Sequence, residues 1–557
     1  MSEGWERLLA NEMFINWAKP YKQHNLKNSL IMFRTAIFLL TLIFPIFLWS
    51  QETNSPTTVA ELAASIQAAD LKKHLDILAS DEFEGRETGT DGQRKAAAYI
   101  SSYFYSLELP PIGENNSYYQ QIAYTAENWN KIELSVNNSN FRQLWDFVSF
   151  PATNSDLGKM EYKEVVFLGY GIDDSRYSDY QNVDVKDKIV MVYLGEPMKA
   201  DSTSWITGTR QLTQWSTDWR LKLKAAHRWG AAGILFIDGQ IQRTISEQRR
   251  KLLSPGFRIG RGEEPEKNYA NNVFISPAIA KEIMGKRYKK VIKARDRILA
   301  KGTPKSVDLK CNLNLTQKKR IRQIIGENVM GYIEGIDPNL KDEIIVVTAH
   351  YDHLGKKRND IYNGADDNAS GTSTVLELAQ ALSLAKEAGV GPRRSVLCML
   401  VSGEEKGLLG SKYYVENPVF PLENTVADIN VDMVGRTDEK HADNPNYIYV
   451  IGSDRLSTDL HEINEQMNAQ YVNLELDYTY NAEDDPNRYY YRSDHYNFAE
   501  LGIPSIFYFS GVHEDYHQPT DDAHKIQFDK MENIARLVFH VTWELANRDE
   551  RIRLIER

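Results

Sequence analysis

The strongest constraint on the fold is a series of short apolar runs that alternate with helical patterns from residue 325 onward. "EIIVVTAH" and "RSVLCMLVS" are rich in β-branched or aliphatic residues and long enough for buried strands. Between them, "GTSTVLELAQALSLAKEAG" has the spacing of a helix that ends at Gly389. "TVADINVDM" and "IPSIFYFS" continue the series. This alternation predicts an α/β fold with a mostly parallel central sheet flanked by helices.

Length and charge narrow the classes of protein to which the chain can belong. A chain of 557 residues is too long for one core and predicts two or three domains. The net charge of -11 argues against nucleic acid or an anionic membrane surface as a partner, because both are bound through clustered lysine and arginine. The sequence has only two cysteines, Cys311 and Cys398, so no disulfide framework is expected.

The composition and the hydrophobic pattern of the sequence suggest how the domains are divided. Residues 60–150 and 325–548 are predicted to form one domain, which carries the βα pattern. Residues 155–315 contain β-rich runs such as "EVVFLGYGI" and "KIVMVYLGEP" and no pair of metal-ligand residues at a suggestive spacing. We therefore expect this segment to be a separate β-rich module that is inserted into the main domain.

The N-terminal region, residues 1–50, has the pattern of a signal peptide. In "FRTAIFLLTLIFPIFLWSQ", Arg34 precedes an apolar block of about 15 residues, and the block ends near Ser50. Met32 is a possible true start. An uncleaved anchor is the alternative, but Pro45 and the short block argue against a full span. The pattern predicts a secreted or periplasmic protein with no membrane span after cleavage.

Acidic and imidazole side chains follow the ends of four predicted strands. In open α/β sheets, ligands bind beyond the carboxyl ends of the strands, so these side chains are expected to meet at one edge. Two histidines from this group, with several of its carboxylates and no cysteine cluster, suit a pair of zinc ions. The side chains in question are His350, Asp352, Glu404, Glu405, Asp432, His513, Glu514, Asp515 and His517.

The stretch "NGADDNASG", residues 363–371, adds two adjacent aspartates, Asp366 and Asp367, at the start of a helix. Paired metals lie about 3.5–4 Å apart and need a carboxylate that bridges them. A short acidic side chain on a tight turn, surrounded by small residues, suits that role. A helix cap is the simpler alternative for either aspartate.

Six motifs in order resemble the di-zinc aminopeptidase family of peptidase clan MH. They are "TAHYDHLG", "GADDNASG", "SGEEKGLLGS", "NVDMVGR", "SDHYNFAELGIPSI" and "YHQPTDD". The family includes secreted bacterial aminopeptidases and glutamate carboxypeptidase II. The resemblance covers about 60–150 and 325–548 and implies the zinc exopeptidase fold. Segment 155–315 is similar to the protease-associated domain that many members insert.

The resemblance implies a role for each motif residue. Glu404 is the expected general base and Asp352 the carboxylate that orients a metal ligand. Asp367 is the expected bridge, with a cis peptide bond to Asn368, and Asp366 is expected to hold the turn. Two Zn²⁺ per chain are implied, and their expected ligands are His350, Asp367, Glu405, Asp432 and His517.

The function implied is that of a secreted di-zinc metallo-exopeptidase, an aminopeptidase that acts on the N-termini of peptides or proteins. Glu404 is expected to assist the attack of a zinc-bridging water on the peptide carbonyl. The donor that stabilises the oxyanion is left open among Tyr489, Tyr490 and Tyr491. The preferred side chain and the oligomeric state are also left open.

Two alternatives remain. Carboxypeptidase or dipeptidase action is possible in the same fold, because "NAEDDPNRYYYR" holds both kinds of terminus-binding charge. A non-catalytic, receptor-like binding protein is the remote alternative, and it would be marked by the loss of metal ligands.

Other ionisable residues near the motifs are expected to have lesser roles. His353 is expected at the surface or behind the ligands, and His495 behind the ligands or in the pocket wall. Asp428 is expected to be a buried, hydrogen-bonded carboxylate. His513 and Glu514 are expected to rim the cleft or to lie in a solvated loop.

Overall fold

The computed structural model describes residues 58–261 and 268–556. The signal peptide proposed for residues 1–50 lies outside these ranges. Within them, every helix is too short or too polar to cross a membrane.

The strands, in chain order, are β1 Tyr119–Val136, β2 Ser139–Phe141, β3 Phe147–Val148, β4 Leu157–Phe167, β5 Asp173–Asp174, β6 Tyr177–Ser178, β7 Ile189–Tyr193, β8 Gly233–Ile237, β9 Gly256–Ile259, β10 Asn272–Ile275, β11 Val307–Ile333, β12 Ile344–His350, β13 Gly355–Lys357, β14 Asp360–Tyr362, β15 Ser395–Val401, β16 Thr425–Val431, β17 Tyr447–Ile451, β18 Glu475–Asp477 and β19 Ser505–Phe509.

The α-helices, in chain order, are α1 Val59–Ala64, α2 Ala68–Leu78, α3 Asp91–Ser106, α4 Gln214–Thr217, α5 Arg220–Arg228, α6 Ile241–Glu247, α7 Arg249–Leu253, α8 Pro277–Met284, α9 Tyr288–Lys301, α10 Gly371–Glu387, α11 Leu409–Glu416, α12 Thr458–Met467, α13 His495–Glu500 and α14 Phe528–Asn547.

Most strands belong to one sheet with the order β18-β17-β19-β16-β12-β15-β11-β4-β7-β8-β10-β3. β12 is parallel to both β15 and β16, and β16 is parallel to β19. The predicted buried runs are therefore neighbours in the sheet, and their carboxyl ends share one edge. The predicted α/β fold, with a mostly parallel central sheet and flanking helices, is confirmed.

Helices cover both faces of this part of the sheet. On one face, α2, α10 and α14 bury residues such as Leu75, Leu378 and Leu537 against the strands. On the other face, Tyr414 of α11 and Phe498 of α13 pack in a second core. Burial of each such side chain contributes roughly 1.5–3 kcal/mol, so the sheet is a rigid base for the residues at its edge.

One long strand connects the two predicted domains. β11 pairs with β15 through Val329–Ile333 and with β4 through residues 307–317. β1 pairs with β11 along most of its length. The strands of segment 155–315 thus extend the same sheet, and β11 runs without interruption across residues 315–325, where the sequence suggested a boundary.

Candidate metal centre

Four parallel strands deliver the candidate residues to one edge of the sheet. β12 ends at His350, β16 ends one residue before Asp432, and β15 ends at Val401, just before Glu404. The loop after β19 carries His517. Because these strands are parallel neighbours, the residues that follow them converge beyond their carboxyl ends.

The turn before α10 holds Asp367 rigidly. The peptide bond between Asp367 and Asn368 is cis, as the resemblance implied. The Asn368 amide donates to the carbonyl of Val431 at 3.0 Å and accepts from the backbone N–H of Gly371 at 2.8 Å. The turn is therefore fastened both to the end of β16 and to the first residue of α10.

The two aspartates of this turn have different surroundings. Asp366 accepts a hydrogen bond from the backbone N–H of Gly435 at 2.6 Å, and its other oxygen lies 3.2 Å from His513. Asp367 instead places Oδ1 3.4 Å from Nε2 of His350 and Oδ2 3.0 Å from Nε2 of His517. Asp367 thus presents one oxygen to each of two histidines.

Asp367 separates two groups of side chains, which we call the His350 side (His350, Glu404 and Asp432) and the His517 side (Glu405 and His517). On the His350 side, Nε2 of His350 lies 3.2 Å from Oδ1 of Asp432 and 3.9 Å from Oε2 of Glu404. On the His517 side, Nε2 of His517 lies 3.0 Å from Oε1 of Glu405. The structure brings all these predicted residues together.

Buried charge perturbs the acid–base behaviour of both sides. Burial raises the pKa of Glu404 well above its usual value. The charge of His350 opposes this rise, whereas the charges of Glu405 and Asp432 add to it. Burial lowers the pKa of His517, but hydrogen bonds with Asp367 and Glu405 outweigh this and raise it to about 9. A buried group with a strongly raised pKa suits a proton-transfer role.

Neighbouring groups fix the orientation of the His350 side. Nδ1 of His350 lies 3.0 Å from the backbone carbonyl of Asp352 and 4.0 Å from its carboxylate. The Asp352 carboxylate instead accepts hydrogen bonds from Thr88 at 2.7 Å and from the backbone N–H of Glu404 at 3.2 Å. The carbonyl of Asp352 therefore faces the imidazole, while its carboxylate positions the loop of the predicted base.

A buried arginine clamps the loops behind the site. The Arg86 guanidinium donates to the carbonyls of Tyr351, Asn363 and Gly364 at 2.8, 2.7 and 2.9 Å. Burial lowers its pKa to about 10, so the group remains charged near neutral pH. Arg86 comes from "FEGRETGTDG", and it ties that segment to both the β12 loop and the turn before α10.

The donor set fits divalent metal ions. Zinc binds histidine nitrogen and carboxylate oxygen at about 2.0–2.2 Å, which places tetrahedral donors about 3.3–3.6 Å apart. The separations around Asp367 lie at or just below this range. Among the described residues, no lysine or arginine makes an ion pair with Asp367, Glu404 or Asp432. Bound cations would neutralise these buried carboxylates.

A cavity of about 1120 Å³ opens over the cluster. The metal-binding candidates and the residues Tyr489, Phe507 and Tyr516 line this cavity. Residues from segment 155–315, including Trp215 and Trp219, line the same cavity. Both regions of the sheet therefore border the space above the cluster.

Several other sequence candidates lie away from the cluster. His495 is fully buried and stacks on Phe507 at a ring separation of 4.9 Å. Asp428 is buried and accepts a hydrogen bond from Thr348 at 2.9 Å, as expected. Glu514 is largely exposed and pairs with Arg436.

Two residues near the cluster were not assigned to it from the sequence. His353 is completely buried, with Nδ1 3.2 Å from Oε1 of Glu405. Tyr516 lines the cavity and stacks on His517 at a ring separation of 3.8 Å. Both are close in sequence to a predicted ligand. His353 follows His350 by three residues, and Tyr516 directly precedes His517. Only the folded loops show which way their side chains point.

Comparisons with known proteins find relatives that are named as aminopeptidases. Aminopeptidase YwaD of Bacillus subtilis (strain 168) is 29% identical over 223 residues, which are 39% of this chain and 44% of the relative. A probable leucine aminopeptidase of Trichophyton verrucosum (strain HKI 0517) is 32% identical over 221 residues, 38% of this chain and 57% of the relative. The chain thus spans about half the length of the curated relatives it matches.

The fold also matches a solved structure. The aminopeptidase from Aneurinibacillus sp. strain AM-1 superimposes with a TM-score of 0.55 and covers 90% of this chain and 99% of that chain. The two sequences are 18% identical, so this likeness concerns the fold alone. The model of Peptidase family M28 matches residues 328–542, which hold all the metal-ligand candidates. With this match, we conclude that residues 328–542 belong to peptidase family M28.

Proposed function

We propose that this chain is a di-zinc exopeptidase, acting as an aminopeptidase on the N-termini of peptides or proteins. The observation that carries the proposal is the placement of Asp367, which has one carboxylate oxygen beside His350 and the other beside His517. The names of the curated relatives support the same activity.

The proposed ligands divide between two metal positions. His350 and Asp432 would hold one Zn²⁺, Glu405 and His517 would hold the other, and Asp367 would be shared. When bound, the metal pair supplies an activated water and polarises the peptide carbonyl. The remaining chemistry belongs to side chains of this chain.

Glu404 is the proposed general base. It accepts a proton from the attacking water and later donates that proton to the leaving amine. Burial raises its pKa, which favours a group that can hold the proton between the two transfers. Its position in the cavity wall supports this assignment.

Tyr516 is the proposed hydrogen-bond donor to the oxyanion, in place of the three tyrosines considered from the sequence. Its ring lines the cavity beside His517, and burial raises the pKa of its phenol, with Asp367 and Glu405 adding to the effect. The phenol therefore remains protonated and able to donate. Tyr490 lies instead against Arg455, whose guanidinium carbon is 4.8 Å from the ring centre.

Carboxypeptidase or dipeptidase action is the second candidate, and Arg492 favours it. Arg492 lines the cavity and could bind an α-carboxylate. The acidic residues that could bind an α-amino group have other contacts. Glu483 is largely exposed and lies near Arg455, and Asp485 accepts a hydrogen bond from the backbone N–H of Tyr489.

A peptide library tests activity and polarity together. Free, N-blocked and C-blocked peptides are incubated with the protein, with and without a chelator. An aminopeptidase releases N-terminal residues from free and C-blocked peptides only, and the chelator stops it. Selective cleavage of N-blocked peptides supports the second candidate. Activity that survives both the chelator and Glu404→Ala contradicts the proposal, and a pure protein without bound zinc favours the receptor-like alternative.

We also retain two proposals that rest on the sequence pattern. Export rests on the signal-peptide pattern of residues 1–50, and N-terminal sequencing of the mature protein that finds residue 33 onward retained would contradict it. The assignment of 155–315 as a protease-associated insert rests on the sequence resemblance, and residues of this segment line the cavity, which supports a role at the cleft. Deletion of residues 155–315 tests the role of the segment. If it helps to select substrates, the deletion variant should lose its selectivity among the peptides of the same library.

A further inference from the structure

A second imidazole approaches the His517 side from behind. Nδ1 of His353 lies 3.2 Å from Oε1 of Glu405 and 3.7 Å from Oδ2 of Asp367. Nε2 of His517 lies 3.0 Å from each of the same two oxygens. Two nitrogens and two oxygens, from four different side chains, therefore converge on one position.

We propose that His353 is a further nitrogen ligand of the metal ion on the His517 side, an inference that rests on the proposed di-zinc function. The nitrogen–oxygen separations within this donor set are 3.0, 3.0, 3.2 and 3.7 Å. They lie on both sides of the range of about 3.3–3.6 Å expected between donors around one tetrahedral zinc ion, and catalytic zinc also accepts five ligands.

The surroundings of His353 favour a ligand over a hydrogen-bonding residue. The side chain is fully buried, and neither ring nitrogen has a hydrogen-bond partner of good geometry among the residues that the structure describes. A buried imidazole in that state is costly, because its polar atoms have lost water without replacement. Coordination to a metal would satisfy Nδ1.

The fold holds this ring against the turn that carries the bridging aspartate. The backbone N–H of His353 donates to the carbonyl of Arg86 at 3.3 Å. At Gly364, a Cβ atom would lie 2.5 Å from Cγ and Cδ2 of the His353 ring. Gly364 also has a φ of +55°, which favours glycine. The glycine of "NGADDNASG" thus leaves the space that the imidazole occupies.

The two imidazoles reach the ion from different directions. His517 lines the cavity, whereas His353 is wholly covered by protein. Their ring centres are 5.9 Å apart, with an angle of 49° between the ring planes. A ligand set of Asp367, Glu405, His517 and His353 would leave the cavity-facing position for water or substrate, as a catalytic zinc site requires.

The test measures metal binding. Metal-free wild type, His353→Ala and His353→Gln are titrated with Zn²⁺ in competition with a chromophoric chelator, and the visible spectrum of the Co²⁺-loaded proteins is recorded. Removal of a residue that only hydrogen-bonds to a metal ligand weakens metal affinity about 10–100-fold. For a direct ligand we expect one of two ions to bind more than about 100-fold more weakly in both variants. We also expect a changed cobalt spectrum, because its intensity depends on coordination number.

His513→Ala is the matched control, since His513 is a neighbouring buried imidazole that contacts Asp366. It should change the affinity for either ion by less than tenfold. Circular dichroism of the metal-free proteins checks folding, and His353→Gln, which keeps a polar side chain of similar size, serves if His353→Ala does not fold.

Wild-type affinity and an unchanged cobalt spectrum in His353→Gln would overturn the proposal, because the residue would then act only through a hydrogen bond. A wild-type protein that binds fewer than two ions would instead contradict the di-zinc function itself. The two failures are therefore distinguishable in one titration series.

Discussion

The two sides of Asp367 offer a metal ion different surroundings. The His350 side has one imidazole, Asp432 and the predicted base Glu404. The His517 side has Glu405, His517 and the buried ring of His353, and it adjoins the phenol of Tyr516. Under the proposed function, proton transfer by Glu404 would belong to the His350 side and stabilisation of the oxyanion by Tyr516 to the His517 side.

The largest expected effect comes from the residue that joins the two sides. Asp367→Asn should remove the shared carboxylate, release at least one ion and lower kcat about 1,000-fold or more, since a metal supplies several kcal/mol of stabilisation. Asp366→Asn is the matched variant one residue away, and it should cost less than about tenfold because Asp366 contacts His513 and Gly435 instead. Metal content and steady-state kinetics measure both. Equal losses would show that the bridge is wrongly assigned.

Adjacent glutamates separate the two sides more sharply. Glu404→Gln should lower kcat about 100–10,000-fold, the usual contribution of a general base, while two ions remain bound. Glu405→Gln should lose an ion, because Oε1 of Glu405 lies 3.0 Å from His517. Elemental analysis beside kinetics distinguishes the outcomes, and the reverse pattern would exchange the two roles.

Tyr516→Phe tests charge stabilisation on the His517 side. Removal of one oxyanion donor should lower kcat about 100-fold with little change in KM or metal content. Tyr490→Phe is the control, since Tyr490 lies against Arg455 and His495, and its kcat should change little. If Tyr490→Phe has the larger effect on kcat, the donor is one of the residues suggested by the sequence.

The sequence predicted the part of the site that follows strand ends. Buried parallel strands have an apolar pattern, and the residues after them must meet at one edge, so His350, Glu404 and Asp432 could be grouped without a structure. The same reasoning predicted the sheet, because β12, β15, β16 and β19 correspond to the apolar runs. Periodicity and topology are enough for this level of description.

Loop direction and continuous strands could not be predicted in the same way. His353 and Tyr516 depend on how a loop turns, and in the case of His353 on the space left by Gly364. The hydrogen bonds from Arg86 to Tyr351 and Asn363 join positions 265 or more residues apart, and such partners have no local signal. β11 crosses a change in composition that suggested a domain boundary, because one strand can serve two packing environments.

Asp352 provides the smallest expected effect and tests whether orientation on the His350 side depends on a carboxylate. Nδ1 of His350 lies 3.0 Å from the Asp352 carbonyl, which Asp352→Asn retains, and 4.0 Å from the carboxylate. Metal affinity should therefore fall less than about tenfold, below the 10–100-fold loss that is usual when a carboxylate partner of a ligating histidine is removed. The free energy of unfolding should fall by about 1–3 kcal/mol. The Asp352 carboxylate accepts hydrogen bonds from the Thr88 hydroxyl and from the Glu404 N–H, and in Asp352→Asn one of these two donors would face an amide N–H₂ group instead of an oxygen. Zinc competition and denaturant unfolding separate these two quantities, with Thr88→Val as the control for stability. A loss of affinity of about tenfold or more without a change in stability would show that the carboxylate orients the imidazole after all.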